Sequence, residues 1–325
     1  MFESFLKQHN QAAWARALEA LAPAIHEVDR NATQIWFYFF PLVLAEALAE
    51  TDNIAETART LRLEGQYRLD EQSDTSHWFL YGHRFWPQVK AAIITRAESG
   101  AAPASLALDA VIREIATDVG GDTALVLGIS AVGLMTLQQI GLPAFRNGPA
   151  EAGPSRGEGL HQHKMTPAQI LAARRKNDSQ GIAGLWRGIR AQYTVTFDER
   201  RDDARFTVVN QQHLTTGSAN DTRDYSASGP RTCIEGPIPV ECRTASCGTC
   251  WVGVLAGSER LSAVEPLEAK QMKEFGYINT TEPKPLIRLA CSALATGNVT
   301  IVIPPWNGFI GKRTGSRETS AARQV

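Results

Sequence analysis

Cys242-Arg243-Thr244-Ala245-Ser246-Cys247-Gly248-Thr249-Cys250, followed 41 positions later by Cys291 in Arg288-Leu289-Ala290-Cys291-Ser292, is the stretch that decides how the chain is read. Three cysteines fall within nine residues, and the residues between them are mostly small: Ala245, Ser246, Gly248 and Thr249. Bulkier side chains at the tight points would push such a loop away from anything it encloses, and Gly248 is free to take positive φ. All five cysteines of the 325-residue chain lie between Cys233 and Cys291. A secreted disulfide framework is short, cysteine-dense and even in number. An odd, clustered set in a chain of this length points to metal ligation instead.

Working outward, the hydrophobic pattern around the cysteines has period two. Tyr193-Thr194-Val195-Thr196-Phe197 alternates apolar and polar, and Arg205–Val209 repeats the pattern after the turn Arg200–Asp203, which predicts a hairpin. Trp251–Leu255, Ile287–Ala290 and Val299–Ile303 read as further strands. Ser262–Phe275 reads as a helix, with Ser262 and Glu265 at capping-box spacing, Pro266 in the first turn and Gly276 as the stop. The sum is a small mixed sheet crossed by one helix.

The Cys-x4-Cys-x2-Cys…Cys spacing resembles the cluster loop of plant-type and adrenodoxin-type [2Fe–2S] ferredoxins. The run RLACSALATGNVTIVIP, with its last cysteine ahead of a final strand, resembles the closing portion of the same family. The resemblance covers about a third of the chain. It implies a β-grasp domain holding one [2Fe–2S] cluster, with Cys242 and Cys247 on one iron and Cys250 and Cys291 on the other. It also implies one-electron chemistry at low potential, on the order of −400 mV. Small neighbours would let backbone N–H groups approach the sulfides and offset their charge. A structural zinc site usually takes two Cys-x2-Cys knuckles or their histidine equivalents, and only Cys247/Cys250 makes one.

Three features depart from the family. Gly217–Gly236 is rich in Ser, Asp, Gly and Pro where a helix is usual. The 40 residues between Cys250 and Cys291 exceed the plant-type interval. Residues 201–310 carry 10 Lys/Arg against 11 Asp/Glu, whereas plant ferredoxins are markedly acidic, which argues against docking through an acidic face. Cys233 is read as a small buried apolar side chain and not as a ligand.

Residues 1–145 are the acidic part, with 10 Lys/Arg against 17 Asp/Glu, and they read as all-helical. Apolar residues recur at helical spacing in Phe5–Leu21, Ile35–Leu48, Ile54–Leu63, Val89–Ile94, Leu106–Ile115 and the apolar run Ala124–Leu142. His77 and His83 frame an aromatic stretch that could suggest a haem pocket, but Cys-x-x-Cys-His is absent and the aromatics suit a core. Tyr67, Arg68, Asp70 and Glu71 read as a solvated face. His161 and His163 lack a third ligand. No Gly-x-Gly-x-x-Gly follows a strand, which argues against an internal nicotinamide or flavin domain. No basic stripe interleaves with aromatics, which argues against nucleic acid. Met1–Ala24 lacks the features of a secretory signal. Ile35–Leu48 is short for a membrane span, and Ala124–Leu142 contains Gln138 and Gln139, so a span is not expected and the chain is read as cytoplasmic.

The expectation is therefore an α+β chain: an all-α domain over 1–145, a connector with a short helix over 146–191, a [2Fe–2S] ferredoxin-type domain over 192–305 and a basic, disordered tail over 306–325. Thr166 and Pro167 are expected to open the connector helix, as N-cap and first helical residue. The function expected is one-electron transfer, with the helical domain docking a redox protein such as a reductase, an oxygenase or a larger redox complex. The alternative is an iron–sulfur redox sensor whose helical domain responds to the cluster. An electron-transfer protein fits better than a stand-alone enzyme.

Overall fold

The computed structural model describes residues 1–100, 107–148, 165–176, 191–225, 235–276 and 282–310. In chain order the helices are α1 (Phe2–Lys7), α2 (Gln11–Leu21), α3 (Glu27–Phe39), α4 (Leu42–Ala49), α5 (Ile54–Thr60), α6 (Trp86–Glu98), α7 (Leu108–Val119), α8 (Thr123–Arg146), α9 (Pro167–Arg175), α10 (Leu214–Ala219) and α11 (Pro266–Phe275). The strands are β1 (Glu64–Gly65), β2 (Gln192–Thr196), β3 (Arg205–Val209), β4 (Gln212–His213), β5 (Trp251–Ala256), β6 (Ile287–Leu289), β7 (Leu294–Ala295), β8 (Val299–Val302) and β9 (Trp306–Asn307). Two compact units emerge: Met1–Thr51 with Arg68–Glu158, and Asp52–Tyr67 with Gly159–Val325. Residues 52–67, inside the expected helical domain, thus group with the sheet, and they include strand β1.

In the helical unit, α8 is the axis against which α1, α3, α4, α6 and α7 pack. Its residues Val126 to Leu137 are buried on every side. Gly128 and Gly133 permit this: a Cβ at either would lie 2.5 Å from Thr33 Oγ1 or 2.6 Å from Ile93 Cδ1. The glutamines Gln138 and Gln139 tie elements together. Trp14 Nε1 donates to Gln138 Oε1 at 2.6 Å, and Gln139 Nε2 donates to the Phe40 carbonyl at 2.8 Å. Beyond them α8 kinks at Gly141 (φ 76°), and Glu3 Oε1 accepts the Leu142 N–H. The stretches Glu27–Ala49 and Thr123–Arg146 are long and apolar enough to cross a membrane by length and composition, and 61% and 67% of their most apolar windows are buried within the chain.

Two expected helices have different bounds. The first is two, α1 and α2, because Asn10 caps α2 by accepting the Ala13 N–H. The second breaks into α3 and α4 at Pro41, which has no N–H to give and disfavours a helical Phe40. The aromatic stretch His77–Trp86 is a run of turns and a 3-10 turn (Tyr81–Phe85), and α6 begins only at Trp86. The cause is distant. The fully buried Asp29 carboxylate accepts the Tyr81 and Gly82 N–H groups, each at 2.6 Å, and so holds the turn.

The other unit is built on a five-stranded mixed sheet, order β3-β2-β8-β5-β6, with β2 and β8 parallel and the remaining pairs antiparallel. The predicted hairpin is β2–β3, with Val195 opposite Phe206. The three later strands fall within a residue of the expected bounds, as β5, β6 and β8. Val195, Phe206, Val208, Val254 and Ile301 supply one buried face. Two short pairs, β4–β7 and β1–β9, flank the sheet. Helix α10 runs into the start of the Ser- and Gly-rich segment, at Gly217–Ala219, and packs on β3 so closely that a Cβ at Gly217 would lie 2.3 Å from Val208 Cγ1.

The connector helix α9 opens at Thr166 and Pro167 as expected, and its cap is a capping box completed by Gln169. Arg174 grips Glu199 through two bonds of 2.8 Å, and Arg260 donates to the carbonyls of Arg174, Arg175 and Asn298 at 3.4, 3.0 and 3.0 Å. Helix α11 begins at Pro266 with Glu265 as its N-cap, not at Ser262. Ser262 is used elsewhere: its hydroxyl accepts the Leu294 N–H and its carbonyl accepts from Arg288. Gly276 ends the helix in the left-handed region, as expected. The sheet unit also runs past 305, since Trp306, Asn307 and Ile310 are buried.

Candidate iron–sulfur site

The strand register brings the distant cysteine home. β5 and β6 pair with Trp251 opposite Leu289, so Cys250, just before β5, lies beside Cys291, just after β6. The Ala290 N–H donates to the Cys250 carbonyl at 3.0 Å, and the Ser292 and Ala293 N–H groups both reach back to the Leu289 carbonyl. That turn presents Cys291. Cys250 and Cys291 are 3% and 6% exposed, while Cys242 and Cys247 are half-buried.

Cys242 and Cys247 sit on a loop that doubles back through three residues in the left-handed region: Arg243 (φ 56°), Ala245 (φ 60°) and Gly248 (φ 72°). Two of these are not glycine, and each costs roughly 1–2 kcal/mol of backbone strain. The strain turns successive N–H groups to one side, the geometry of an anion-binding nest. The Thr244 and Cys247 N–H groups donate to Cys242 Sγ at 3.4 and 3.3 Å, and the Ala245 N–H donates to Cys291 Sγ at 3.3 Å. The Thr249 hydroxyl reaches Cys247 Sγ at 3.3 Å.

The four sulfurs lie close together, with Cys247 beside Cys242 and Cys291 beside Cys250. Burial raises the Cys242 thiol, but hydrogen bonds from Ser246, Thr244 and Cys247 outweigh it and bring it down to about 6. Between Cys250 and Cys291, their mutual interaction brings Cys291 down to about 7 and, with burial, pushes Cys250 well up. Thiolate is the form that ligates metal. Among the described residues no three His, Cys, Asp or Glu side chains gather at a single point fit for one ion. Two thiol pairs with backbone donors between them match the needs of an anionic two-iron rhomb, so the donor set fits the group.

Two supports behind the loop were not legible as such. Arg288 and Glu268, 1% and 0% exposed, form a two-pronged ion pair at 2.8 and 2.9 Å, and Glu268 Oε1 also accepts the Leu289 N–H at 2.9 Å. The pair joins α11 to β6 three residues before Cys291. The ring of Phe275 fills the space where Gly248 would carry a side chain: a Cβ there would lie 2.2 Å from two ring carbons. The nearness of Arg288 to Cys291 in sequence was a visible signal, but nothing in sequence links it to Glu268.

The other singled-out residues lie elsewhere. His77 and His83 are in the helical unit, with their Nδ1 atoms 3.0 Å apart. Arg68 pairs with Asp70 and Glu71 at a partly exposed surface. Cys233, His161 and His163 fall outside the described residues.

The family model described as the 2Fe-2S iron-sulfur cluster binding domain matches residues 219–296, a stretch that contains all four of these cysteines. No curated protein and no solved structure matches the chain. The matched part is a [2Fe–2S] cluster-binding domain, and its cofactor is a [2Fe–2S] cluster.

Proposed function

We propose that the chain is a one-electron carrier in which Cys242 and Cys247 hold one iron and Cys250 and Cys291 the other. The observation that carries this reading is the pairing of the four thiols around a loop whose Thr244, Ala245 and Cys247 N–H groups point at sulfur. We read the β3-β2-β8-β5-β6 sheet with α11 as a β-grasp frame. The bound cluster supplies reversible one-electron transfer. The chain's own residues do the rest. The four cysteines fix the irons, the backbone donors offset negative charge, and Phe275 and the Arg288–Glu268 pair hold the two halves of the site in register. The helical unit docks the electron donor or acceptor, a redox protein such as a reductase, an oxygenase or a larger redox complex.

Anaerobic purification followed by absorption spectra and low-temperature EPR before and after dithionite tests this. A visible chromophore that bleaches, with a rhombic S = 1/2 signal on reduction, is expected. A colourless protein with no such signal would sink the reading.

A further inference from the structure

We propose that Phe309 and Phe275, braced from outside by the Asp52–Tyr67 segment, are positioning residues that shield the cysteine loop and thereby set the potential of the site. The proposal rests on the one-electron reading above. Its first observation is the contact already described, in which the Phe275 ring takes the place of a side chain at Gly248, between Cys247 and Cys250. Phe309 stacks on the Phe275 ring, with centroids 4.0 Å apart and planes 18° apart, while Trp251 meets Phe275 edge-on at 5.4 Å. The Ile310 N–H donates to the Phe275 carbonyl at 2.8 Å, so Phe275 and the 306–310 segment are tied through backbone as well.

What holds Phe309 comes from far upstream. Its N–H donates to the Leu61 carbonyl at 2.6 Å, and β1 pairs with β9 with Gly65 opposite Trp306. The approach is close: a Cβ on Gly308 would lie 2.4 Å from Leu63 Cδ2 and 3.0 Å from the Leu61 carbonyl oxygen. Arg62 then lays its guanidinium over the Phe309 ring, 5.0 Å from the centroid, a cation–π arrangement. Arg62 follows α5 in the left-handed region (φ 50°), a place where glycine is usual. An exposed arginine kept in that conformation, with its head group on the aromatic stack, is an outlier that points to a role. Neither 52–67 nor 306–310 falls in the stretch matched by the cluster-domain family.

The expected consequence follows from charge. Reduction adds one negative charge to the site, and burial disfavours the more charged state. Loosening the stack admits water near Gly248 and moves the midpoint potential in the positive direction, since solvent exposure is one of its determinants.

The test uses the full chain with Phe309→Ala, Phe309→Leu, Phe309→Tyr and Arg62→Gln. Cluster content per protein is read from visible absorption, and the midpoint and g values from an anaerobic redox titration followed by EPR. Phe309→Ala and Phe309→Leu should keep the cluster but titrate at a more positive midpoint with altered g values. Phe309→Tyr should restore both, and Arg62→Gln should move the midpoint the same way by less. Should Phe309→Ala not fold, Phe309→Leu, which keeps the apolar bulk but not the flat ring, carries the test. A wild-type midpoint and line shape in Phe309→Leu overturns the proposal, even if its melting temperature falls. Absence of any cluster signal in the wild-type chain is a different result, and it overturns the carrier reading itself.

Discussion

The guanidinium of Arg288 and the carboxylate of Glu268 meet in a dry interior, two bonds of 2.8 and 2.9 Å between side chains that are 1% and 0% exposed. Each partner has further duties. Arg288 also donates to the Ser262 carbonyl, and Glu268 also accepts the Leu289 N–H. Removing one partner leaves an uncompensated buried charge, which costs about 3–5 kcal/mol. Arg288→Met and Glu268→Leu should each destabilise the chain by that order and accelerate cluster loss, since Cys291 follows on the same strand end. The double variant should recover part of the stability. Chemical denaturation with parallel absorbance readings checks this, and single variants of wild-type stability would refute it.

Cys242→Ala, Cys247→Ala, Cys250→Ala and Cys291→Ala should each abolish or severely deplete the visible chromophore. Cys233→Ala should retain it. Iron and acid-labile sulfide assays on the purified variants decide the matter, and a colourless Cys233→Ala protein would show that the ligand set is wrong.

Gly248→Ala places a Cβ on a residue at φ 72° and drives it into the Phe275 ring. The backbone conformation costs about 1 kcal/mol or more, and the overpacking adds about 1–3 kcal/mol. The variant should lose its cluster faster in air than the wild type. Phe275→Leu in the same chain should relieve part of the clash, so the pair of substitutions is expected to be non-additive. Strict additivity in a double-mutant cycle would count against the contact.

The helical unit should be acid-sensitive through His77. Burial, then the neighbouring charges of His83 and Lys90, hold His77 well below the ordinary histidine value of 6.5. It is therefore neutral in the fold and protonates more readily when unfolded. No penalty exists above pH 6.5. Below it the unfolded chain binds the extra proton, and stability falls by up to about 1.4 kcal/mol per pH unit until the folded pKa is reached. The groups facing it are His83, with Nδ1 at 3.0 Å, and Lys90, which itself pairs with Asp74. His77→Leu should be less stable at pH 7.5 yet lose less on acidification to pH 5. Melting curves followed at the helical signal across that range provide the measurement, and parallel slopes for the two proteins would contradict it.

What the sequence by itself determined is what short-range chemistry encodes. The spacing of Cys242, Cys247, Cys250 and Cys291 identifies the cluster domain, the alternation in 193–197 and 205–209 places the hairpin, and Thr166 and Pro167 open their helix as read. Each depends on residues a few positions apart or on a motif with one known use. The tertiary structure decided the rest. Ser262 looks like a helix cap but serves Leu294 and Arg288. The aromatics of 77–86 look helical but are held in turns by Asp29. Residues 52–67 look like part of a helical domain but pair with the end of the sheet unit. In every such case the deciding partner lies 26 or more positions away, as Arg288 does from Ser262 and Tyr81 from Asp29. Such pairings are chosen by burial and hydrogen-bond satisfaction in the finished fold, and local propensity carries no record of them.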